Sequence, residues 1–214
     1  MPNKFIVSAI RKSRSLFELV RQGAFNYTLI DQFGSEISPF DIHYSVDIRN
    51  PEQIRLSRSC RLQPGVILNG RSSLRDFGIS FGPETYLKEN CYFDAYGGFI
   101  NVEGQCAFAQ NTIIHGGGGV SIGQYTIVGA NCYIIASNHA FGSRELPTML
   151  QGDVRKGISI GSNVWVGGNV TILDGVNIGS NCVIGAGTLV AKSVPENTVV
   201  FNAIEPITRK VYDD

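Results

Sequence analysis

The sequence predicts an all-β protein folded as a parallel β-helix solenoid, and two observations carry this prediction. First, an aliphatic residue recurs at every sixth position through the C-terminal third of the chain. These positions are Ile160, Val166, Ile172, Ile178, Ile184 and Val190. Second, Asn, Gly or Ser follows three positions after each of them, and Asn and Gly enter left-handed backbone conformations at low cost. Six is not a helical period, so each hexad is interpreted as a short strand followed by a turn.

The same phase continues upstream in four shorter runs. Their inward positions are Leu56, Leu62 and Leu68; Phe81, Leu87 and Phe93; Val102, Phe108 and Ile114; and Ile122, Val128 and Ile134. If three hexads close one triangular coil, the whole set of hexads predicts about six coils, each packed on its neighbours. We therefore place the solenoid at residues 54–200, between an N-terminal segment, residues 1–53, and a tail, residues 201–214.

The five cysteines share one slot of this repeat, four positions after an inward residue. They are Cys60, Cys91, Cys106, Cys132 and Cys182. A common slot within the period is typical of small buried core residues and not of nucleophiles or disulfides. The spacing of Cys and His matches no familiar metal motif, so no metal site is predicted.

Composition narrows the range of partners. Lys and Arg together number 18, as do Asp and Glu, so there is no basic excess and nucleic acid is not an expected partner. Charged residues interrupt the apolar ones near the N-terminus, which predicts neither a signal peptide nor a transmembrane segment and favours a cytoplasmic location. The apolar residues between positions 6 and 20 fall roughly on one helical face, which predicts a short amphipathic helix within residues 1–53.

The longest break in the repeat spans residues 138–157, with the sequence NHAFGSRELPTMLQGDVRKG. Long loops on rigid scaffolds often carry function, so this loop is predicted to protrude over a site or a neighbouring subunit. His139 stands at its first corner, and placement alone leaves a catalytic and a solvated histidine equally good interpretations. His115, one position past the inward Ile114, is interpreted as a surface or interface histidine. His43 is interpreted as a packing or capping residue.

The segment GISIGSNVWVGGNVTILDGVNIGSNCVIGAGTLVAKSVPENTVV, residues 157–200, resembles the hexapeptide-repeat acyltransferases, and within them the maltose, galactoside and xenobiotic acetyltransferase group. The resemblance extends over about residues 54–200. It implies left-handed coils, which the spacing by itself does not, because crossovers between parallel strands are right-handed as a rule. It also implies acetyl-CoA as co-substrate, no metal, and a homotrimer with sites between subunits.

The resemblance implies roles for individual residues as well. Asn138-His139 resembles the end of the coil that carries the family's catalytic histidine, which makes His139 the general base. Trp165 resembles the tryptophan that lines the acyl-CoA channel beside it. Its indole N–H, or a backbone N–H at the broken corner, would stabilise the oxyanion, so Trp165 is also a candidate catalytic residue. Asp94 and Asn111 resemble acceptor-binding residues. The implied cofactor-binding positions are Trp165, Gly168, Ala186, Ala191, Lys192 and Arg209.

These residues predict an acetyltransferase that acts on a saccharide hydroxyl, such as a sugar of a surface polysaccharide, with His139 accepting the hydroxyl proton. N-acetylation of an amino sugar nucleotide, a xenobiotic acetyltransferase and a catalytically inactive assembly module are the alternatives. Two departures from the family pattern leave the acceptor and the adenine end of the CoA site open. They are the sequence FNAIEP at residues 201–206, in place of the usual Gly-Asn-Pro-Ala, and the segment before Leu56.

Overall fold

The computed structural model describes residues 41–202, which fold as a parallel β-solenoid of triangular cross-section. The N-terminal helix predicted from the sequence and the tail residue Arg209 lie outside the described residues. Short strands, numbered along the chain, stack into three sheets that we call faces A, B and C. The predicted parallel β-helix is confirmed.

Each face is built from strands of two or three residues. Face B holds β1 (Asp47–Arg49), β4 (Ile67–Asn69), β7 (Tyr92–Asp94), β10 (Ile113–His115), β13 (Tyr133–Ile135), β18 (Thr171–Leu173) and β21 (Leu189–Val190). Face C holds β2 (Ile54–Leu56), β5 (Ile79–Phe81), β8 (Ile100–Val102), β11 (Val120–Ile122), β16 (Ile158–Ile160) and β19 (Asn177–Ile178). Face A holds β3 (Arg61–Leu62), β6 (Tyr86–Leu87), β9 (Ala107–Phe108), β12 (Ile127–Val128), β17 (Trp165–Val166), β20 (Val183–Ile184) and β22 (Val199–Val200). A 3-10 turn, Pro51–Gln53, precedes β2.

The register stacks the inward residues of successive coils directly on one another. On face B, for example, Leu68 pairs with Phe93 and Phe93 pairs with Ile114. Every inward position predicted from the hexads is buried. Seven strands on faces A and B make about seven coils, one more than the hexads predict. The additional strands, β1 and β22, lie at the two ends, where no aliphatic residue continues the six-residue phase.

The corners follow the predicted chemistry with one exception. Asn163, Asn169 and Asn181 adopt left-handed conformations with φ of 55°, 57° and 59°, as do the glycines at 175 and 187, whereas Ser193 is not among the residues with positive φ. The asparagine side chains also bond along the corner, since Asn163 Nδ2 donates to Asn181 Oδ1 at 2.9 Å. These amide ladders tie neighbouring coils together where the strands end.

All five cysteines are buried and free, which confirms the core interpretation. Burial raises the pKa of Cys60 and of Cys91 to about 11, because a thiolate loses its hydration there. Within residues 41–202 no group of three His, Cys, Asp or Glu side chains could hold a metal ion. That same stretch has no helix long and apolar enough to cross a membrane.

The break in the repeat forms a protruding ribbon. β14 (Asn138–His139) pairs antiparallel with β15 (Asp153–Val154), and a 3-10 turn, Thr148–Leu150, lies near the tip. The ribbon leaves the solenoid between β13 on face B and β16 on face C. Asp174 fixes its return, because the Asp174 carboxylate accepts the backbone N–H groups of Lys156 at 3.0 Å and Gly157 at 2.8 Å. The ribbon is therefore anchored at its base.

Candidate active site

His139 lies at the base of the ribbon, on the edge where the chain passes from face B to face C, which we call the BC edge. Antiparallel pairing sets His139 opposite Asp153. The His139 Nδ1 atom lies 3.2 Å from Asp153 Oδ1. The imidazole is 68% exposed and the carboxylate 25% exposed, so the couple opens to solvent in a single chain. A carboxylate at Nδ1 leaves Nε2 as the nitrogen available to a substrate.

Arg155 connects this couple to the body of the solenoid. Its Nη2 donates to Asp153 Oδ2 at 3.0 Å, and its Nη1 donates to the backbone carbonyl of Tyr96 at 3.3 Å. The guanidinium carbon also lies 5.2 Å from the centre of the Tyr96 ring. Arg155 therefore holds the ribbon against the turn that follows β7.

Asp94 ends β7 at the same edge and is only 8% exposed. Its Oδ2 accepts the Tyr92 hydroxyl at 2.8 Å and Asn69 Nδ2 at 3.2 Å, and its Oδ1 accepts the backbone N–H of Tyr96 at 2.7 Å. Burial and the hydrogen bond to Asp94 raise the pKa of the Tyr92 phenol, so this hydroxyl remains a donor at neutral pH. The carboxylate is thus held in one orientation by three donors.

A cleft of about 450 Å³ opens between Asp94 and Arg155. Its walls include Asn69, Arg71, Ser72, Asp94, Tyr96 and Arg155. Carboxylate, amide, hydroxyl and guanidinium groups in one cleft suit a ligand with many hydroxyl groups, because each can donate or accept a directional hydrogen bond. This polar cleft adjoins the His139–Asp153 couple through Arg155.

His115 lies beside the polar cleft. It pairs in register with Asp94 on the neighbouring coil, and its ring centre is 5.8 Å from those of both Tyr92 and Tyr96. Its half-buried side chain points outward from face B, in line with the surface position expected from the sequence. The aromatic contacts make it part of the wall behind Asp94.

The other predicted site residues lie elsewhere on the solenoid. Asn111 is at the edge between faces A and B, the AB edge, where its amide joins a ladder with Asn90 and Asn131. Trp165 is on face A and 59% exposed. Two further positions, Gly168 and Ala186, stack near each other on the AB edge, whereas Ala191 and Lys192 are exposed beyond β21 on the BC edge. One chain therefore carries two separate groups of predicted site residues.

Several residues of the site were not predicted from the sequence. The six-residue period could have located Asn69. Asn69 follows the inward Leu68 just as Asp94 follows the inward Phe93, so the two residues lie in one column on face B. Asp153 and Arg155 carried no such signal. They belong to the ribbon, where no repeat fixes the phase.

The fold and the site together describe the class: a parallel β-solenoid that carries a histidine and a polar cleft where its six-residue repeat breaks. Comparisons with known proteins agree with this class. Residues 157–192 match the family model for the bacterial transferase hexapeptide of six repeats. A Saccharomyces cerevisiae protein named as a candidate acetyltransferase is 30% identical over 176 residues, which cover 80% of this chain and 88% of the relative. The galactoside O-acetyltransferase of Escherichia coli is 28% identical over 158 residues, 70% of this chain and 72% of the relative.

Among solved structures, a mutant of the N-acyltransferase AntD from Bacillus cereus, in complex with dTDP-4-amino-4,6-dideoxyglucose and coenzyme A, has the same fold. Its TM-score is 0.56 and its sequence identity 17%, with 79% of this chain and 81% of that chain covered. The chain belongs to the hexapeptide-repeat acetyltransferase family. It is therefore an enzyme of the acyltransferase class.

Proposed function

We propose that this protein transfers an acetyl group from acetyl-CoA to a hydroxyl of a saccharide, with His139 as the general base. One observation carries the proposal: the His139–Asp153 couple stands at the BC edge, beside a polar cleft built around Asp94. A base next to a cleft for a hydroxylated acceptor is the arrangement that acyl transfer to oxygen requires.

In the proposed reaction, the acceptor oxygen attacks the thioester carbonyl carbon while His139 Nε2 takes the hydroxyl proton. The tetrahedral intermediate then collapses, the carbon–sulfur bond breaks, and the imidazolium returns the proton to the CoA thiolate. Asp153 holds the opposite ring nitrogen and stabilises the positive charge that the imidazole carries between these steps. General base catalysis of this kind contributes roughly a hundredfold to ten-thousandfold in rate.

The acceptor is proposed to bind in the cleft, with Asp94 accepting one of its hydroxyl groups. One of the four acceptor sites of the Asp94 carboxylate is open to this role, because Oδ2 receives two donors from the protein and Oδ1 receives one. The similarity to a galactoside O-acetyltransferase supports a saccharide hydroxyl as acceptor. A sugar of a surface polysaccharide is the specific acceptor that we propose to test first.

The donor is proposed to bind along Trp165, Gly168, Ala186, Ala191 and Lys192, with Arg209 in the tail. The exposed indole of Trp165 offers an apolar wall for the pantetheine arm, and the exposed ammonium of Lys192 can meet a CoA phosphate as a point charge. The coenzyme A in the AntD complex supports the choice of donor.

A homotrimer would unite the two groups of site residues. Trp165 and Asn111 lie on or near the AB edge and His139 on the BC edge, so a complete site is proposed to form between the AB edge of one copy and the BC edge of the next. Exposed apolar side chains on face B, including Tyr133 at 44% and Leu189 at 54%, fit burial around a threefold axis.

A cytoplasmic location is part of the proposal, and the five free thiols support a reducing compartment.

Thiol release from acetyl-CoA tests the proposal, with a panel of neutral sugars, polysaccharide fragments, amino sugar nucleotides and hydroxylated drugs as acceptors. We expect release with a saccharide and its loss in His139→Ala. His43→Ala is the matched control, because the His43 imidazole bonds to Ser45 and packs on Tyr44, and His43 does not line the cleft. Full activity in His139→Ala would exclude His139 as the general base. Release only with amino sugar nucleotides would replace O-acetylation by N-acetylation, and neither release nor CoA binding by calorimetry would overturn the function.

A further inference from the structure

We infer that Arg155 is a positioning residue that links the polar cleft to the catalytic couple. One guanidinium nitrogen, Nη2, donates to Asp153, the partner of His139. The other, Nη1, donates to the backbone of the turn that follows Asp94. The inference rests on the proposed function, because Arg155 acts through His139. It assigns no contact between Arg155 and the reacting atoms.

The first step of the argument is the division of the Asp153 carboxylate. One oxygen, Oδ2, accepts Nη2 of Arg155 at 3.0 Å, and the other, Oδ1, lies 3.2 Å from His139 Nδ1. A carboxylate held at one oxygen by a charged donor has its rotation fixed, so the second oxygen stays directed at the imidazole. Without Arg155, an Asp153 side chain that is 25% exposed could turn toward water.

The second step is the connection to the cleft through Tyr96. Its backbone N–H donates to Asp94 Oδ1 at 2.7 Å, and its carbonyl accepts Arg155 Nη1 at 3.3 Å. Tyr96 also has a left-handed backbone with φ of 48°, which few alternative turns would reproduce. A continuous set of contacts therefore runs from Asp94 through Tyr96, Arg155 and Asp153 to His139.

The third step is the rigidity of the stem on which Arg155 stands. The Asp174 carboxylate binds the backbone N–H groups of the next two residues, Lys156 and Gly157, while β15 pairs with β14 just before it. Arg155 thus lies between two fixed points, and its side chain is 39% exposed. Both terminal nitrogens of its guanidinium are bonded to the protein, which holds the side chain in place.

The fourth step concerns charge. Within residues 41–202, β15 is the one strand paired with β14, and the charged group that faces His139 from it is Asp153, with Arg155 behind. Arg155 balances part of the negative field at the imidazole. Arg155→Gln would remove this positive charge and leave the Asp153 carboxylate beside the imidazole.

Steady-state kinetics test the inference with Arg155→Gln, Arg155→Lys and Lys156→Gln. We expect the kcat of Arg155→Gln to fall about ten- to a hundredfold. We also expect its KM for acetyl-CoA to stay constant, because Arg155 acts through His139 and not on the donor. Arg155→Lys should restore kcat in part, because an ammonium keeps the charge but cannot make both hydrogen bonds of the guanidinium. Lys156→Gln removes the same charge one residue away, from a side chain that packs on Gly175, and should leave kcat unchanged.

An unchanged kcat in Arg155→Gln would overturn the inference while leaving the proposed function intact. Activity in His139→Ala would overturn both, which keeps the two failures distinguishable. Thermal unfolding of each variant reports whether the fold survives. If Arg155→Gln does not fold, Arg155→Lys decides alone, and a kcat equal to that of the parent would show that the two hydrogen bonds of the guanidinium are not needed.

Discussion

His139 and Asp153 face each other across an antiparallel strand pair, with Nδ1 and Oδ1 3.2 Å apart. Asp153→Asn keeps the shape of this partner and removes its charge. We expect kcat to fall about ten- to a hundredfold, with the KM for acetyl-CoA unchanged. Initial rates with each substrate varied separately give both values, and a kcat equal to that of the parent would show that Asp153 does not orient the base.

Asp94 is predicted to determine acceptor affinity. In Asp94→Asn, one oxygen becomes an NH₂ group that meets donors, either the Tyr96 N–H or the Tyr92 hydroxyl and Asn69 amide. We expect the KM for the acceptor to rise about tenfold or more, a loss of the order expected when a charged hydrogen-bond partner is removed, while the KM for acetyl-CoA stays constant. Initial rates with each substrate varied separately give both values. Asp76→Asn is the control, because Asp76 lies outside this cleft, and equal changes in both variants would contradict the assignment.

Removing the hydroxyl of Thr188 is predicted to stabilise the folded protein. Its hydroxyl is buried and has no hydrogen-bond partner within the described residues, whereas the equivalent hydroxyl of Thr126 donates to the carbonyl of Gly161 at 3.1 Å. Thr188→Val should therefore raise the free energy of unfolding by about 1 kcal/mol, and Thr126→Val should lower it by a similar amount. Denaturant unfolding of both variants measures the difference. Equal effects of the two substitutions would show that the Thr188 hydroxyl is satisfied.

The thiols are predicted to resist modification in the native protein. Burial raises the pKa of Cys60 and Cys91 to about 11, so at pH 8 nearly every molecule carries the unreactive thiol form, and reactivity should grow only as the pH approaches that value. Mass spectrometry after iodoacetamide treatment should find these residues unlabelled in the folded protein. All five cysteines should be labelled in denaturant. Rapid native labelling of Cys60 or Cys91 would contradict their core position.

The ribbon is predicted to contact a neighbouring copy. Phe141 and Met149 are 80% and 82% exposed, an unusual state for large apolar side chains near one another in sequence. Replacing both with Ser should raise the dissociation constant of the trimer more than tenfold, because each buried side chain of this size contributes about 1.5–3 kcal/mol. Light scattering across protein concentration measures the mass. Leu74→Ser, at an exposed position outside residues 138–157, is the control, and an unchanged mass in the double variant would exclude the contact.

The sequence by itself determined the coils. Inward residues such as Ile160 and Val166 repeat every six positions because each coil buries its side chains against the next, so a local pattern is enough to specify the core. The shared slot of the cysteines and the left-handed corner at Asn163 follow from the same repeat. The prediction fell one coil short because β1 and β22 close the ends with residues that do not keep the phase.

Only the tertiary structure decided how the site is assembled. Arg155 contacts Tyr96 across 59 positions of sequence, and Asp153 meets His139 because an irregular ribbon turns back on itself. No period fixes the phase of such a segment, so its pairing depends on how the whole ribbon folds and where Asp174 anchors it. His139 lies on the BC edge of the solenoid and Trp165 on face A, and this separation likewise depends on the number of residues added at each corner. The positions of both residues are local properties of the sequence, and their relationship in space is a property of the folded solenoid.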